Sequence, residues 1–444
     1  MRISIPLAAA LALLAGQARA ETIDVSSTTM LQIGQQTRGG ANPFDPQLET
    51  VAPAFEILSI AARDVRNPVL RDLSLFVSTW GSYELAEPRW DTGTPEAKLN
   101  GDLVTLYAQA RMFGRRVTLR LGREMVSTGV ARMIHLDGGE LVALLPAGFR
   151  LQGYAGVPVT QRFGARTTLR SWSPVGGDLA YGGRVAFAYG LAGYPGRGLE
   201  LGASANFVED GGDPVRQEVG ADFRLQPFRD LTLTGLAAYS VWEERASELL
   251  ARASYSVTRR FRIEADARYY APDLFLARNS ILSVFSAEDR RDFGAAFTYE
   301  LTRALEIGAG YHVIVEPGET EEEKDFVGSE AALQVEWAGG PTRLGLEVDY
   351  LDALENGYLA FRVFGRRDFG KFFGTADVLS HLFRESVNGE DFAVTGTVSA
   401  GMQLAKGLSV VIAGNAGVTP FLEQTFDVMA KLAYNSIYRA REVR

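Results

Sequence analysis

Catalysis in this chain would have to rest on hydroxyls and charged groups, because its 444 residues include no cysteine and only three histidines, His135, His312 and His381. Without cysteine there is no disulfide framework, no thiolate metal site and no sulfur nucleophile. The histidines are too far apart in sequence for a local zinc motif. His312 stands beside Gly308 and Gly310 without a nearby serine, His381 lies in a segment with Ser380 and Ser386, and His135 precedes Asp137. Such pairs are common by chance. No G-x-S-x-G, H-E-x-x-H, phosphate-loop or calcium-loop spacing occurs, so the sequence predicts no enzyme, no cofactor and no metal centre. With 45 Lys and Arg against 54 Asp and Glu, the net charge of −9 also argues against a nucleic-acid partner, since that binding begins with clustered positive charge.

The charges instead recur at every second position. Phe261-Arg262-Ile263-Glu264-Ala265-Asp266-Ala267-Arg268-Tyr269 alternates apolar with charged residues, and the segments 199–207, 305–313 and 344–350 repeat the pattern. Side chains alternate faces along a strand, so each segment has one apolar and one wet face. Strands of about ten residues suit a tilted bilayer crossing, whereas sandwich strands are usually nearer 5–6 residues. If the apolar faces meet lipid, the opposite positions line a channel. The first half then contributes Arg111, Arg120, Arg150, Arg184, Arg224, Arg252, Arg262 and Arg268, with Glu124, Glu200, Glu218, Asp222, Glu264 and Asp266 as acidic neighbours. The second half is mostly acidic, with Glu300, Glu306, Glu330, Glu336, Glu347, Asp349, Asp377 and Asp427 against Arg343, Arg362 and Lys431. The expectation is a water-filled pore with a transverse field able to orient polar solutes or anionic polymer segments. The bland alternative is mutual neutralisation between neighbouring strands.

The elements that position these residues can be read as well. Residues 1–20 have a positive start, an apolar run from Leu7 to Gly16 and the Ala18-Arg19-Ala20 cleavage pattern of an export signal. Residues 21–444 then form a single domain. Ten short turns (67–72, 114–116, 146–148, 190–197, 226–230, 258–260, 302–304, 339–341, 365–370, 405–407) alternate with longer connections at 81–101, 156–178, 271–290, 316–325 and 381–390. That parity predicts an all-β, transmembrane, antiparallel up-and-down barrel of about 18–22 strands in the cell outer membrane, running from Thr22–Gly34 to Phe426–Tyr438. Two strands are poorly marked. Thr22–Gly34 could lie outside the wall, and Ile134–Leu145, interrupted by Gly138-Gly139, could be a short helix or an inward fold that narrows the pore. Trp80, Tyr154, Phe207, Trp242 and Tyr269 are expected in one aromatic girdle, and Tyr189, Phe223, Phe261, Tyr299 and Trp337 in the other. The acidic run 316–325 reads as a solvated loop tip, and the apolar segment 271–287 as a rim element or a gate.

Val117-Thr118-Leu119-Arg120-Leu121-Gly122-Arg123-Glu124 followed by His135-Leu136-Asp137-Gly138-Gly139 resembles the "R-x-G-R … DG" pattern of alginate-export porins. Residues 29–36, 66–68 and 79–81 are similar to barrel porins of proteobacterial polysaccharide-export systems. The resemblance implies export of a secreted polysaccharide, a periplasmic export partner, and lumen roles for Arg120 and Arg123. A porin for small polar solutes and a non-conducting structural or adhesive barrel are the alternatives. Outer-membrane lipid and lipopolysaccharide are the expected surroundings.

Overall fold

The structure, a computed structural model, describes residues 19–37, 48–66, 72–86, 99–159, 178–190, 198–271, 289–316, 325–353, 356–420 and 422–439. Its strands are β1 (Arg19–Thr37), β2 (Leu48–Val51), β3 (Pro53–Arg66), β4 (Asp72–Glu84), β5 (Leu99–Met112), β6 (Val117–Val126), β7 (Ile134–Leu144) and β8 (Phe149–Pro158). There follow β9 (Leu179–Tyr189), β10 (Gly198–Asp210), β11 (Asp213–Phe228), β12 (Leu231–Ser240), β13 (Arg245–Ser256), β14 (Phe261–Tyr270), β15 (Arg290–Glu300) and β16 (Leu305–Glu316). The series ends with β17 (Phe326–Gly339), β18 (Thr342–Asp352), β19 (Gly357–Phe369), β20 (Phe372–Val387), β21 (Glu390–Ala405), β22 (Leu408–Thr419) and β23 (Leu422–Arg439).

Consecutive strands pair antiparallel, and β1 closes the ring against β23, with Thr22 opposite Arg439 and Gly34 opposite Asp427. β2 pairs with the end of β1 and continues the line of β3 past Ala52, so the two form one stave. The result is a closed barrel of 22 staves. Closure satisfies every ladder and leaves no sheet edge. Thr22–Gly34 is therefore part of the wall. Ile134–Leu144 is also a strand, paired on both sides. Its glycines suit a close approach there, because a Cβ on Gly138 would strike the Ala155 carbonyl.

The register sorts the residues by face. Leu201, Phe223, Leu333, Leu346 and Ile412 are exposed on the outer face, while the charged positions between them share the inner one. The outer face is a belt of large apolar side chains that water would not tolerate over such an area. Phe223, Tyr299 and Trp337 are exposed near the short-turn end, where a girdle is expected. Trp80 and Tyr154 depart from the girdle expectation. Both are buried and both share the inner-face register, Trp80 opposite Asp102 and Tyr154 opposite Glu140.

Two connections differ from their expected form. The long connection at 381–390 is mostly strand, since β20 runs to Val387 and only Asn388-Gly389 turns the chain. Both residues have positive φ, 53° and 85°, the geometry for which Asn-Gly is the strongest hairpin signal. The turn at 365–370 likewise tightens to Gly370-Lys371, because β19 extends to Phe369. The export signal up to residue 18, most of the apolar segment 271–287 and most of the acidic run 316–325 lie outside the described residues.

Candidate lumen site

Ile134–Leu144 is strand and does not fold inward; an inward segment that the sequence did not mark lies before it, at residues 127–133 between β6 and β7. Gly129–Ala131 forms a single 3-10 turn, with Val130 and Ala131 fully buried. The segment reaches across the inner wall to β9, β10 and β11. Two glycines permit the approach. Gly129 has φ of +48°, and a Cβ there would collide with Ser204; a Cβ on Gly220 would meet Val130. Val126, Ala131, Leu136 and Tyr154 form a small apolar cluster at its base.

Arg132 latches the segment. Its guanidinium pairs with Glu218 at 3.1 Å and with Glu248 at 3.0 Å, while the Val130 N–H donates to Ser204 Oγ at 3.1 Å. Glu218 is 1% exposed. It also accepts from Arg216 at 2.7 Å and from the Ser247 hydroxyl at 2.8 Å, so a buried carboxylate is held by charge and hydrogen bonds together. The sequence reading assigned no role to Arg132 or Glu248. Glu248 lies 116 residues from Arg132, and no local pattern connects them.

Of the expected lumen arginines, Arg120 donates to Glu140 at 2.7 Å and to Gln109 at 3.0 Å. Arg184 bridges Glu200 at 2.8 Å and Asp222. Arg262 stands 3.7 Å from Glu264 and Arg268 3.6 Å from Glu248. Arg111, Arg150, Arg224 and Arg252 share the same face, and among the described residues none has an ion pair within 4 Å. All four fall toward the short-turn ends of their strands. They form an arginine crescent from β5 to β13, in which Arg111, Arg224 and Arg252 stand opposite Asp72, Glu200 and Asp266 in register, carboxylates already engaged by Arg115, Arg184 and His312.

Arg123 does not join this group. It lies three residues from Arg120, past the positive-φ Gly122, and has a separate set of partners. Arg123 makes a two-pronged pair with Asp137, both contacts 2.6 Å, donates to the Leu103 carbonyl at 3.2 Å, and lies 3.8 Å from Asp102. Between the two arginines, Gly122 has φ of +131°, and a Cβ there would strike the Leu106 carbonyl. The Arg-Gly-Arg and Asp residues of the alginate-export resemblance thus divide between two ion-pair groups, Arg120 with Glu140, and Arg123 with Asp137 and Asp102.

The acidic sector begins at β15. Glu300 stands directly opposite Glu306, which in turn faces Glu336. Like charges in register are unfavourable, and of the three Glu336 is relieved by Arg343 at 3.1 Å. Glu330 faces His312, and Glu347 holds Arg362 at 3.1 Å. Asp349 lies between Ala332 and Ala360. His312 Nε2 is 3.4 Å from Asp266, His135 Nε2 meets the Val104 carbonyl at 2.7 Å, and His381 sits inside β20 between two aromatic rings rather than in a loop.

No family model matches the chain, and no curated protein matches it in sequence. Among solved structures it is similar to OccAB4 of Acinetobacter baumannii (10% identity, TM-score 0.44, covering 95% of this chain and 99% of that one). It is also similar to OpdK of Pseudomonas aeruginosa solved with vanillate (12%, 0.46, 95% and 99%). A BenF-like porin from Pseudomonas fluorescens stands at the same distance (11%, 0.45, 94% and 98%).

Proposed function

We propose that the protein is an outer-membrane channel for small polar solutes. The observation that carries this reading is the sorting of the two faces. A closed ring of 22 staves has an apolar outer belt that only lipid can cover, and an inner wall that keeps charges unpaired. Barrels of 16–18 strands already enclose an aqueous passage, so water fills this one and solvates the arginine crescent. The crescent and the acidic sector from β15 to β18 face the lumen from different sides, which gives a field across the passage.

Polysaccharide export, the expectation from the family resemblance, rests on residues that the fold uses differently. Arg123 and Asp137 are engaged in an ion pair with each other. The inward segment at 127–133 also takes up lumen space that a threading polymer would need. Liposome swelling separates the two readings. Liposomes containing the barrel are expected to swell in isosmotic arabinose or serine and to remain unswollen in a large dextran. Absence of swelling in small solutes, together with loss of surface polysaccharide on gene deletion, would replace the present reading with export.

A further inference from the structure

One part of the wet wall breaks the polar pattern. On the inner face of β19 and β20, near the loop ends of both strands, Tyr358 stands opposite Phe383 in register, and His381 stands two residues along β20. The Tyr358 and His381 rings meet edge-to-face at 5.4 Å, and the His381 and Phe383 rings lie within 6° of parallel at 6.0 Å. A large aromatic ring on the water-facing side of a strand sacrifices burial, and Tyr358 and Phe383, joined by the His381 imidazole, together offer ring faces to a partner.

The groups around them are polar and mostly acidic. Asp349 lies level with His381, separated from it by Ala360. One step lower, Arg362 is held between Glu347 and Asp377 at 3.1 and 2.6 Å, with its guanidinium over the Phe364 ring at 4.9 Å. Further down, Arg366 covers Phe373 at 4.4 Å. The Phe364 and Phe373 rings lie flat, in the space that Cβ atoms on Gly345 and Gly401 would take. From Tyr358 to the level of Phe373 the wall runs roughly 33 Å along the strand at ~3.3 Å per residue, comparable to the ~30 Å core of a bilayer.

We propose that this strip is a binding track for neutral pyranose sugars, entered at the Tyr358–His381–Phe383 platform. The proposal rests on the channel reading above and names a ligand for it. A pyranose has an apolar C–H face that stacks on a ring and a rim of hydroxyls that need partners. The platform supplies the ring faces. Asp349, Glu347 and Asp377 accept from hydroxyls, and Arg362 donates to them. The carboxylate excess in this sector repels organic anions, which are drawn instead toward the arginine crescent.

The test uses the full-length barrel in planar bilayers with maltotriose as probe. Maltotriose is expected to reduce the ion current saturably. In a Tyr358→Ala/Phe383→Ala variant the half-blocking concentration should rise about tenfold, from the loss of two stacking contacts, with the sugar-free conductance kept. Sorbitol, which carries hydroxyls but no ring face, should not block saturably. Equal block by sorbitol, block by benzoate in place of maltotriose, absence of block, or an unchanged value in the variant would each overturn the track. Absence of current before any sugar is added would overturn the channel reading itself.

Discussion

Replacing Arg132 with alanine is expected to give a larger and noisier single-channel conductance together with a less stable barrel. The guanidinium ties residues 127–133 to Glu218 on β11 and Glu248 on β13, several staves from where the segment leaves the wall. Without it, two largely buried carboxylates lose their shared cation. Breaking a buried pair from one side costs about 3–5 kcal/mol, and the lower end applies because the Arg132 side chain is 26% exposed. Glu218 keeps Arg216 and Ser247, so β11 holds while the segment is freed. Urea titration of refolded barrel in vesicles measures the first effect, and single-channel recording the second. Unchanged conductance in the alanine variant would show that the segment is held by its apolar cluster alone.

The second large effect separates two neighbouring positions on β17. Leu333→Arg is expected to destabilise the barrel by about 2–4 kcal/mol, the cost of a cation on the lipid face near the midplane. Gln334→Arg, one residue on, should change stability by less than about 1 kcal/mol. Leu333 is 42% exposed and stands between Ala309 and Val348 in the outer-face register. Gln334 stands between Gly308 and Glu347 on the inner face, where a new arginine meets a carboxylate and water. Folding yield into vesicles against urea concentration gives both values. Equal losses at the two positions would mean that the faces are not divided between lipid and water.

Much of this wall was legible because barrel strands carry their own address. Phe261–Tyr269 reads as alternating and is almost all of β14, and the charged positions it marks share one face. A motif containing both Arg120 and Arg123 draws them together, yet the structure gives them separate acidic partners, Glu140 and Asp137. Asn388-Gly389 is an explicit hairpin signal hidden inside a segment that looks like a loop because it is rich in polar residues. Trp80 sits beside a register shift between Ser78 and Thr79, and a shifted register moves a side chain's neighbours without any mark in the local pattern. The inward segment was the least legible feature. Its sequence, Ser127-Thr128-Gly129-Val130-Ala131-Arg132-Met133, is ordinary for a loop. Its meaning comes from Ser204, Gly220, Glu218 and Glu248, brought beside it by the closure of the ring. The aromatic platform was missed for a related reason. Tyr358 and Phe383 are 25 residues apart in the chain, and only the pairing of β19 with β20 places them opposite each other.

A closed ring of 22 staves with charged inner positions should enclose a conducting, water-filled passage. Purified wild-type protein, shown to be folded by its resistance to denaturation, can be added to a planar bilayer in potassium chloride. Discrete, stable current steps are expected, linear with voltage and larger in the Arg132→Ala variant. Folded barrel that inserts without producing steps, in both wild type and variant, would contradict it.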